Sequence, residues 1–168
     1  MYKKLFISII SVLTIFLVSS CSKASEPKTT EVAQSSKQVL NVYKNPSCGC
    51  CEKWVAHINT AGFQSKVHNR ADLSSLKQKK GIAPRYRSCH TAISQDGYVF
   101  EGHVPAKFIK KFLLEQPKDA LGLSVPAMPA GTPGMEMGNR FMPYQVLLLK
   151  KDGTSEIYAF VKSSKEQF

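Results

Sequence analysis

At 168 residues, 18.6 kDa and a formal net charge of +11, the chain suits one domain plus a targeting segment. An apolar fraction of 43% supports a packed core and excludes wholesale disorder, and five cysteines are too few for a disulfide-stapled miniprotein. One apolar run, at the N-terminus, excludes a polytopic transporter, and no recurring period marks a repeat array.

That run reads as an address. Lys3 and Lys4 give a basic flank, and Leu5 to Val18 are apolar apart from Ser8, Ser11 and Thr14. The stretch is short for a membrane span and has the form of an export signal. It ends in Val18-Ser19-Ser20-Cys21, which resembles the lipobox of bacterial lipoproteins. The expectation is a signal peptide over 1–20, with Cys21 lipidated and first in the mature chain. Ser22, rather than Asp, favours the outer membrane of a Gram-negative cell, on its periplasmic side. Loss of Lys3 and Lys4 lowers the charge from +11 to +9. An exported basic protein gives no argument for nucleic acid, and its charge reads as a solvated surface that can face anionic lipid. Residues 22–38 are mainly Ser, Lys, Thr, Glu and Gln with one Pro and few apolar groups, which predicts a lipidated, disordered tether over 21–38 ahead of a domain over 39–168.

Within that domain, Val39 to Tyr43 is β-rich and reads as a first strand. After Asn45-Pro46-Ser47, residues Cys51, Trp54, Val55, Ile58 and Ala61 fall at helical spacing, with Asn45 or Ser47 as cap and Gly62 as stop. Gln64 to His68 predicts a second strand, and Asp72 to Lys80 a second helix capped by Asp72. Thr91 to Ile93 and Tyr98 to Phe100 flank Asp96-Gly97 as a hairpin. Pro105 opens a helix with Ile109, Phe112 and Leu113 on one face. Pro117 to Pro143 is Pro- and Gly-rich and reads as a long irregular loop. Tyr144 to Leu149 and Ile157 to Val161 close the chain as another hairpin. The fold expected is α/β, thioredoxin-like, β-α-β-α-β-β-α, with a long Pro/Gly/Met loop and an extra C-terminal hairpin.

The chemistry lies in sulfur. Cys48 and Cys51 make a C-x-x-C pair between strand and helix, the place and spacing of a thioredoxin redox motif. A helix N-terminus favours thiolate, which is both nucleophile and soft-metal ligand. Cys50 shifts the balance, because a dithiol enzyme needs no third thiol while Cu(I) is held well by several bridging thiolates. Zinc prefers four donors spread tetrahedrally, which three thiols within four residues do not easily supply. Cys89 and His90 precede the third strand, where a thioredoxin-like fold packs a loop against the C-x-x-C turn. They would complete the site.

Four segments carry a family resemblance: Asn45-Pro46-Ser47-Cys48-Gly49-Cys50-Cys51, Ser88-Cys89-His90-Thr91-Ala92, Gly97 to Ala106, and Val125 to Glu136. Together they resemble the CopG-type copper-resistance proteins, a bacterial family long labelled as a domain of unknown function. The resemblance runs from about Val39 to Val161. It implies a thioredoxin-like fold, export, a role in copper tolerance, and a copper site at Cys48, Cys50, Cys51, Cys89 and His90. It also implies a copper oxidoreductase as a possible activity.

Other residues are secondary. Met128, Met135, Met137 and Met142 all lie in the Pro/Gly loop, where a thioether serves either Cu(I) or gap-filling packing. Met135 and Met137 are the best auxiliary ligands, with His103. His57 and His68 read as solvated or structural, Trp54 as core shielding the site, and Lys77-Gln78-Lys79-Lys80 and Lys110-Lys111 as solvated faces. The function expected is extracytoplasmic copper binding for copper tolerance, with Cu(I) in a multinuclear cysteine-rich site and possible Cu(I)/Cu(II) chemistry. The alternatives are a thiol-disulfide oxidoreductase using Cys48 and Cys51, or a chaperone passing copper to a protein partner.

Overall fold

The computed structural model describes residues 37–168. The expected signal peptide, lipidated Cys21 and all but the last two residues of the tether lie outside the described residues.

The described chain is a seven-stranded mixed sheet of order β2-β1-β3-β4-β5-β6-β7. It begins with β1 (Val39–Lys44), α1 (Gly49–Thr60), β2 (Gln64–Asn69) and α2 (Ser74–Lys79). A 3-10 turn at Pro84–Tyr86 leads into β3 (His90–Ser94), β4 (Val99–Glu101) and α3 (Ala106–Glu115). The order read from the sequence, β-α-β-α-β-β-α, is therefore present. β5 (Ala120–Ser124), β6 (Tyr144–Lys150), β7 (Ser155–Val161) and a 3-10 turn at Ser164–Gln167 follow.

β1 pairs parallel with β2 and antiparallel with β3, and β3 pairs antiparallel with β4. Alternation in β1 sends Leu40 and Val42 to one face, where α1 supplies Val55 and Ile58 and α3 supplies Ile109 and Phe112. Phe100, Leu123 and Val146 extend this main core across the sheet. A smaller cluster of Ile82, Tyr86, Ile93, Val99 and Leu149 is separate from it. Each fully buried Leu, Ile or Phe contributes about 1.5–3 kcal/mol, so the main core anchors α1 firmly.

Two local readings need correction. Residues 117–143 are not all irregular, because β5 joins β4 in parallel and β6 antiparallel. Through β5 the C-terminal hairpin is continuous with the main sheet. Gly122 hid the strand, since glycine weakens a β pattern. It is required there, as an added Cβ would sit 1.8 Å from the Val99 carbonyl oxygen. The caps also differ. Cys48 takes the N-cap position of α1 with no side-chain cap bond, while Asn45 Oδ1 accepts from the Ser47 amide at 2.9 Å. Likewise Asp72 Oδ1 accepts from the Ser74 amide, ahead of a helix whose N-cap is Leu73.

Candidate metal centre

The sheet's pairing gathers the chemistry-bearing residues at one end. Lys44, the last residue of β1, lies opposite His90, the first of β3. Cys48 follows β1 after a short turn closed by its amide on the Asn45 carbonyl at 3.1 Å. Glu101 closes β4 opposite Thr91, and the Gly102 amide donates to the His90 carbonyl at 2.9 Å. His103 therefore arrives beside His90. A Cβ on Gly102 would come within 2.6 Å of both Ser88 Cβ and the Val125 carbonyl oxygen, so only glycine lets these segments approach.

Two overlapping ligand groups result. The sulfurs of Cys48, Cys50, Cys51 and Cys89 all lie within 4.8 Å of one another. So do one ligand atom each from Cys51, Cys89, His90 and His103. Cys51 and Cys89 belong to both groups. The structure thus brings together the five residues singled out from the sequence and adds His103, which had been only an auxiliary candidate. Its signal was the β3–β4 hairpin: pairing Thr91 with Glu101 places the residues just outside the ladder side by side. In this structure Cys48 and Cys51 are joined as a disulfide, leaving Cys50 and Cys89 as free thiols. Cys50 Sγ lies 3.5 Å from Cys48 Sγ.

The imidazoles are buried and directed. His103 Nδ1 donates to the Pro133 carbonyl at 2.7 Å, and its Nε2 lies 3.1 Å from Cys89 Sγ. A carbonyl only accepts, so Nδ1 carries the proton and Nε2 presents its lone pair to the sulfur. His90 Nδ1 lies 3.3 Å from the same sulfur. His90 Nε2 is fully buried with no hydrogen-bond partner. An orphaned buried nitrogen costs free energy unless it has a use, and a metal ligand is one. Burial holds both imidazoles below their ordinary range, His90 far below it, so both are neutral as ligation requires. Burial, reinforced by the neighbouring Cys50 thiol, pushes Cys89 up to about 11. The Trp54 ring lies 4.3 Å from the His90 ring, and its Nε1 donates to the Val104 carbonyl at 2.9 Å. Trp54 thus walls the imidazole side, as its expected shielding role requires.

Buried charge fixes this architecture. Lys77, read from the sequence as part of a solvated face, is instead buried in an ion pair with Glu101. Its helix turns this one lysine inward, where Lys77 Nζ also donates to the Ser88 carbonyl at 2.8 Å. Glu101 in turn accepts from the Ser88 amide at 2.6 Å and from Thr91 Oγ1 at 2.6 Å. The network brackets Cys89 and His90 on both sides. On the opposite flank, fully buried Lys44 pairs with Glu52 at 2.7 Å and donates to the Asn45 carbonyl at 3.0 Å. Neither lysine carried a periodicity signal.

The remaining candidates sit elsewhere. His57 is half-buried, and its Nε2 accepts from the Ala106 amide at 3.1 Å, serving the start of α3. His68 bonds Asn41 Oδ1 at 3.0 Å and stacks on Tyr43. Met128, Met137 and Met142 are each about half exposed (49%, 52% and 57%), so core packing is not their role. Met135 is half-buried. Their loop lies on the cysteine helix: a Cβ on Gly134 would meet the Cys50 carbonyl oxygen at 2.6 Å and the Trp54 amide at 2.7 Å.

The donor set, four sulfurs and two neutral imidazoles with one nitrogen unpartnered, fits a soft or borderline transition metal. Two solved structures share this fold. Both are of a protein described as copper resistance protein CopG, in two forms. The first is 39% identical with a TM-score of 0.71, covering 76% of this chain and all of the other. The second is 39% identical with a TM-score of 0.70, covering 75% of this chain and 99% of the other. This chain belongs to the CopG family. A protein family of unknown function, DUF411, also matches residues 86–135, which hold Cys89, His90 and His103. Among curated proteins, none matches.

Proposed function

We propose that this CopG-family chain is an exported copper-binding protein that contributes to copper tolerance. It holds Cu(I) as a multinuclear cluster on Cys48, Cys50, Cys51 and Cys89, with His90 completing the site. The observation that supports this most is the pair of overlapping ligand groups sharing Cys51 and Cys89, since a shared thiolate is a bridging thiolate. The Cys48–Cys51 disulfide must be reduced before all four sulfurs can serve. The mixed sulfur and imidazole donors suit both copper oxidation states, which supports Cu(I)/Cu(II) chemistry as the activity. Met135 and the exposed Met137, on the loop that rests on α1, offer auxiliary thioethers. The thioredoxin-like assignment is supported by the C-x-x-C turn between β1 and α1 and by β1 lying between β2 and β3. Attachment through Cys21 at the periplasmic side of the outer membrane is supported by the Val18-Ser19-Ser20-Cys21 sequence.

Replacing Cys50 with Ala is expected to lower Cu(I) stoichiometry sharply in the reduced chain, while the fold stays intact. Metal analysis with thiol titration of the same sample reads this. Unchanged copper content would sink the cluster. The disulfide itself favours a second reading, a thiol-disulfide oxidoreductase with Cys48 as nucleophile. Turnover in an insulin-reduction assay that survives Cys50→Ala and Cys89→Ala would favour that reading.

A further inference from the structure

β1 runs from the end of the domain where the chain enters to the end where the cysteines sit. Lys37 and Gln38 precede it, and Cys48 follows it. α1 leaves the metal centre at Gly49, and α3 leaves it at Ala106, just after His103. Both helices therefore end at the pole opposite the metal centre, about 20 Å away, the length of the six-residue β1. There a surface cleft of about 360 Å³ opens between Lys37, the Ala61–Phe63 turn after α1, and Lys110 and Leu114 of α3. The Gln64 amide donates to the Gln38 carbonyl at 3.0 Å, which ties the chain entry to the foot of β2. Leu114 is 85% exposed, more than any other large apolar side chain described. α3 buries Ile109, Phe112 and Leu113 on its core face, so Leu114 belongs to the outer face, one turn from Lys110. Lys37 and Lys110 are exposed, and among the described residues neither pairs with a carboxylate. A second cleft at this pole sets Lys118 and Lys151 beside Asp119 and Asp152, so its charges offset one another.

We propose that this pole is the membrane-facing side of the domain: Leu114 enters the headgroup region of an anionic bilayer, Lys37 and Lys110 meet its phosphates, and the metal centre points away. The inference rests on the attachment through Cys21 proposed above. Residues 22–36 link that anchor to Lys37, and fully extended they span about 50 Å. Either pole could then reach the bilayer, so length alone does not orient the domain. The chemistry of the two poles does. An exposed leucine between two unpaired lysines suits an anionic interface, where the apolar side chain enters and the ammonium groups stay at the phosphates. The competing face is the other pole, which exposes Met128, Met137 and Met142. It lies at the far end of β1 from the chain entry, whereas the leucine pole holds the entry itself. A linker this short keeps the leucine pole at an effective concentration on the order of millimolar beside the lipid, so a small docking face suffices. Docked this way, the centre and its methionine loop stay open to soluble partners.

The full-length chain is expressed in bacteria and the exported protein is purified. Mass spectrometry of its N-terminal peptide reads whether Cys21 carries lipid, which tests the attachment by itself. The protein is then placed on vesicles of phosphatidylethanolamine with phosphatidylglycerol, and on vesicles of phosphatidylcholine, and amide hydrogen exchange is followed. Exchange over 59–65 and 110–117 should slow at least about fivefold on the anionic vesicles only, the scale of one lysine at an anionic surface. Exchange over 128–142 should not change. Lys110→Glu combined with Leu114→Glu, both at exposed positions, should remove the protection while the lipidated chain stays on the vesicles. Circular dichroism checks that the variant folds. Absence of protection, equal protection on both vesicles, or protection over 128–142 instead would overturn the inference. If Cys21 proves unlipidated, the attachment fails but the pole is still tested. The same chain should then float with excess phosphatidylglycerol vesicles at low ionic strength, where screening is weak, and the double variant should not. Flotation unchanged by the double variant, or none at all, would equally reject the pole.

Discussion

The two sides of the centre are built on opposite principles. One side, Cys48 to Cys51, is a turn on a helix end with no side-chain cap, and Cys48 and Cys50 are only half-buried. Two of its sulfurs are joined as a disulfide and a third, Cys50, is a free thiol. The other side, Cys89, His90 and His103, is walled by Trp54 and braced by a buried ion pair. The first half holds the disulfide, and the second holds donors at positions fixed by packing and by the buried ion pair. A site that must accept metal without refolding needs one half already in place, because preorganised donors avoid an ordering cost at binding.

The largest effect should come from breaking the second half at its brace. Glu101→Ala leaves Lys77 buried and unpaired, and strips the Ser88 amide and Thr91 hydroxyl of their acceptor. Breaking a buried pair this way costs about 3–5 kcal/mol. We expect a large fall in the thermal midpoint together with loss of metal from Cys89. Lys77→Met combined with Glu101→Leu removes both charges and should recover much of the stability. A double variant no more stable than the single one would show that the Ser88 and Thr91 bonds to Glu101, and not the ion pair, are the brace.

A smaller effect is expected where the Pro/Gly loop touches the first half. Gly134 has a φ of +86°, and an added Cβ would collide with backbone atoms of Cys50 and Trp54. Gly134→Ala should cost about 1–3 kcal/mol through strain and displaced packing. The cysteine turn should become more accessible, seen as faster alkylation of Cys50 in the metal-free protein. Unaltered stability and alkylation would detach the loop from the site.

The smallest effect sharpens the contrast through pH. Cys89 ionises at about 11 in the fold, against an ordinary 9.0. Below pH 9 its thiol is protonated in both folded and unfolded chains and stability is unaffected. Between 9 and about 11 the unfolded chain loses this proton first, so stability falls as pH rises through that window. Cys89→Ala should remove this part of the alkaline loss in pH-dependent melts. An unchanged alkaline slope would mean that burial of Cys89 is not felt energetically.

Much of this was legible in the sequence. Strand and helix periods gave the elements from β1 to α3, and Cys48, Cys50, Cys51, Cys89 and His90 were found by residue type and spacing. What escaped did so for physical reasons. β5 was hidden by Gly122, whose missing side chain is what lets β5 approach Val99. Lys77 was misread because a lysine in a basic run looks solvated until its partner Glu101, 24 residues away, is brought beside it. His103 was underrated because its contact with Cys89 exists only through strand pairing. Long-range pairing leaves no local period, so only structure reveals it.

The central claim is that thiolates from both sides of the centre hold copper together. Copper K-edge X-ray absorption of the reduced full-length chain loaded with Cu(I) tests it most directly. A first shell dominated by sulfur is expected, with copper–copper scattering that Cys89→Ser diminishes. A first shell of nitrogen or oxygen alone, or a spectrum unchanged by Cys89→Ser, would contradict it.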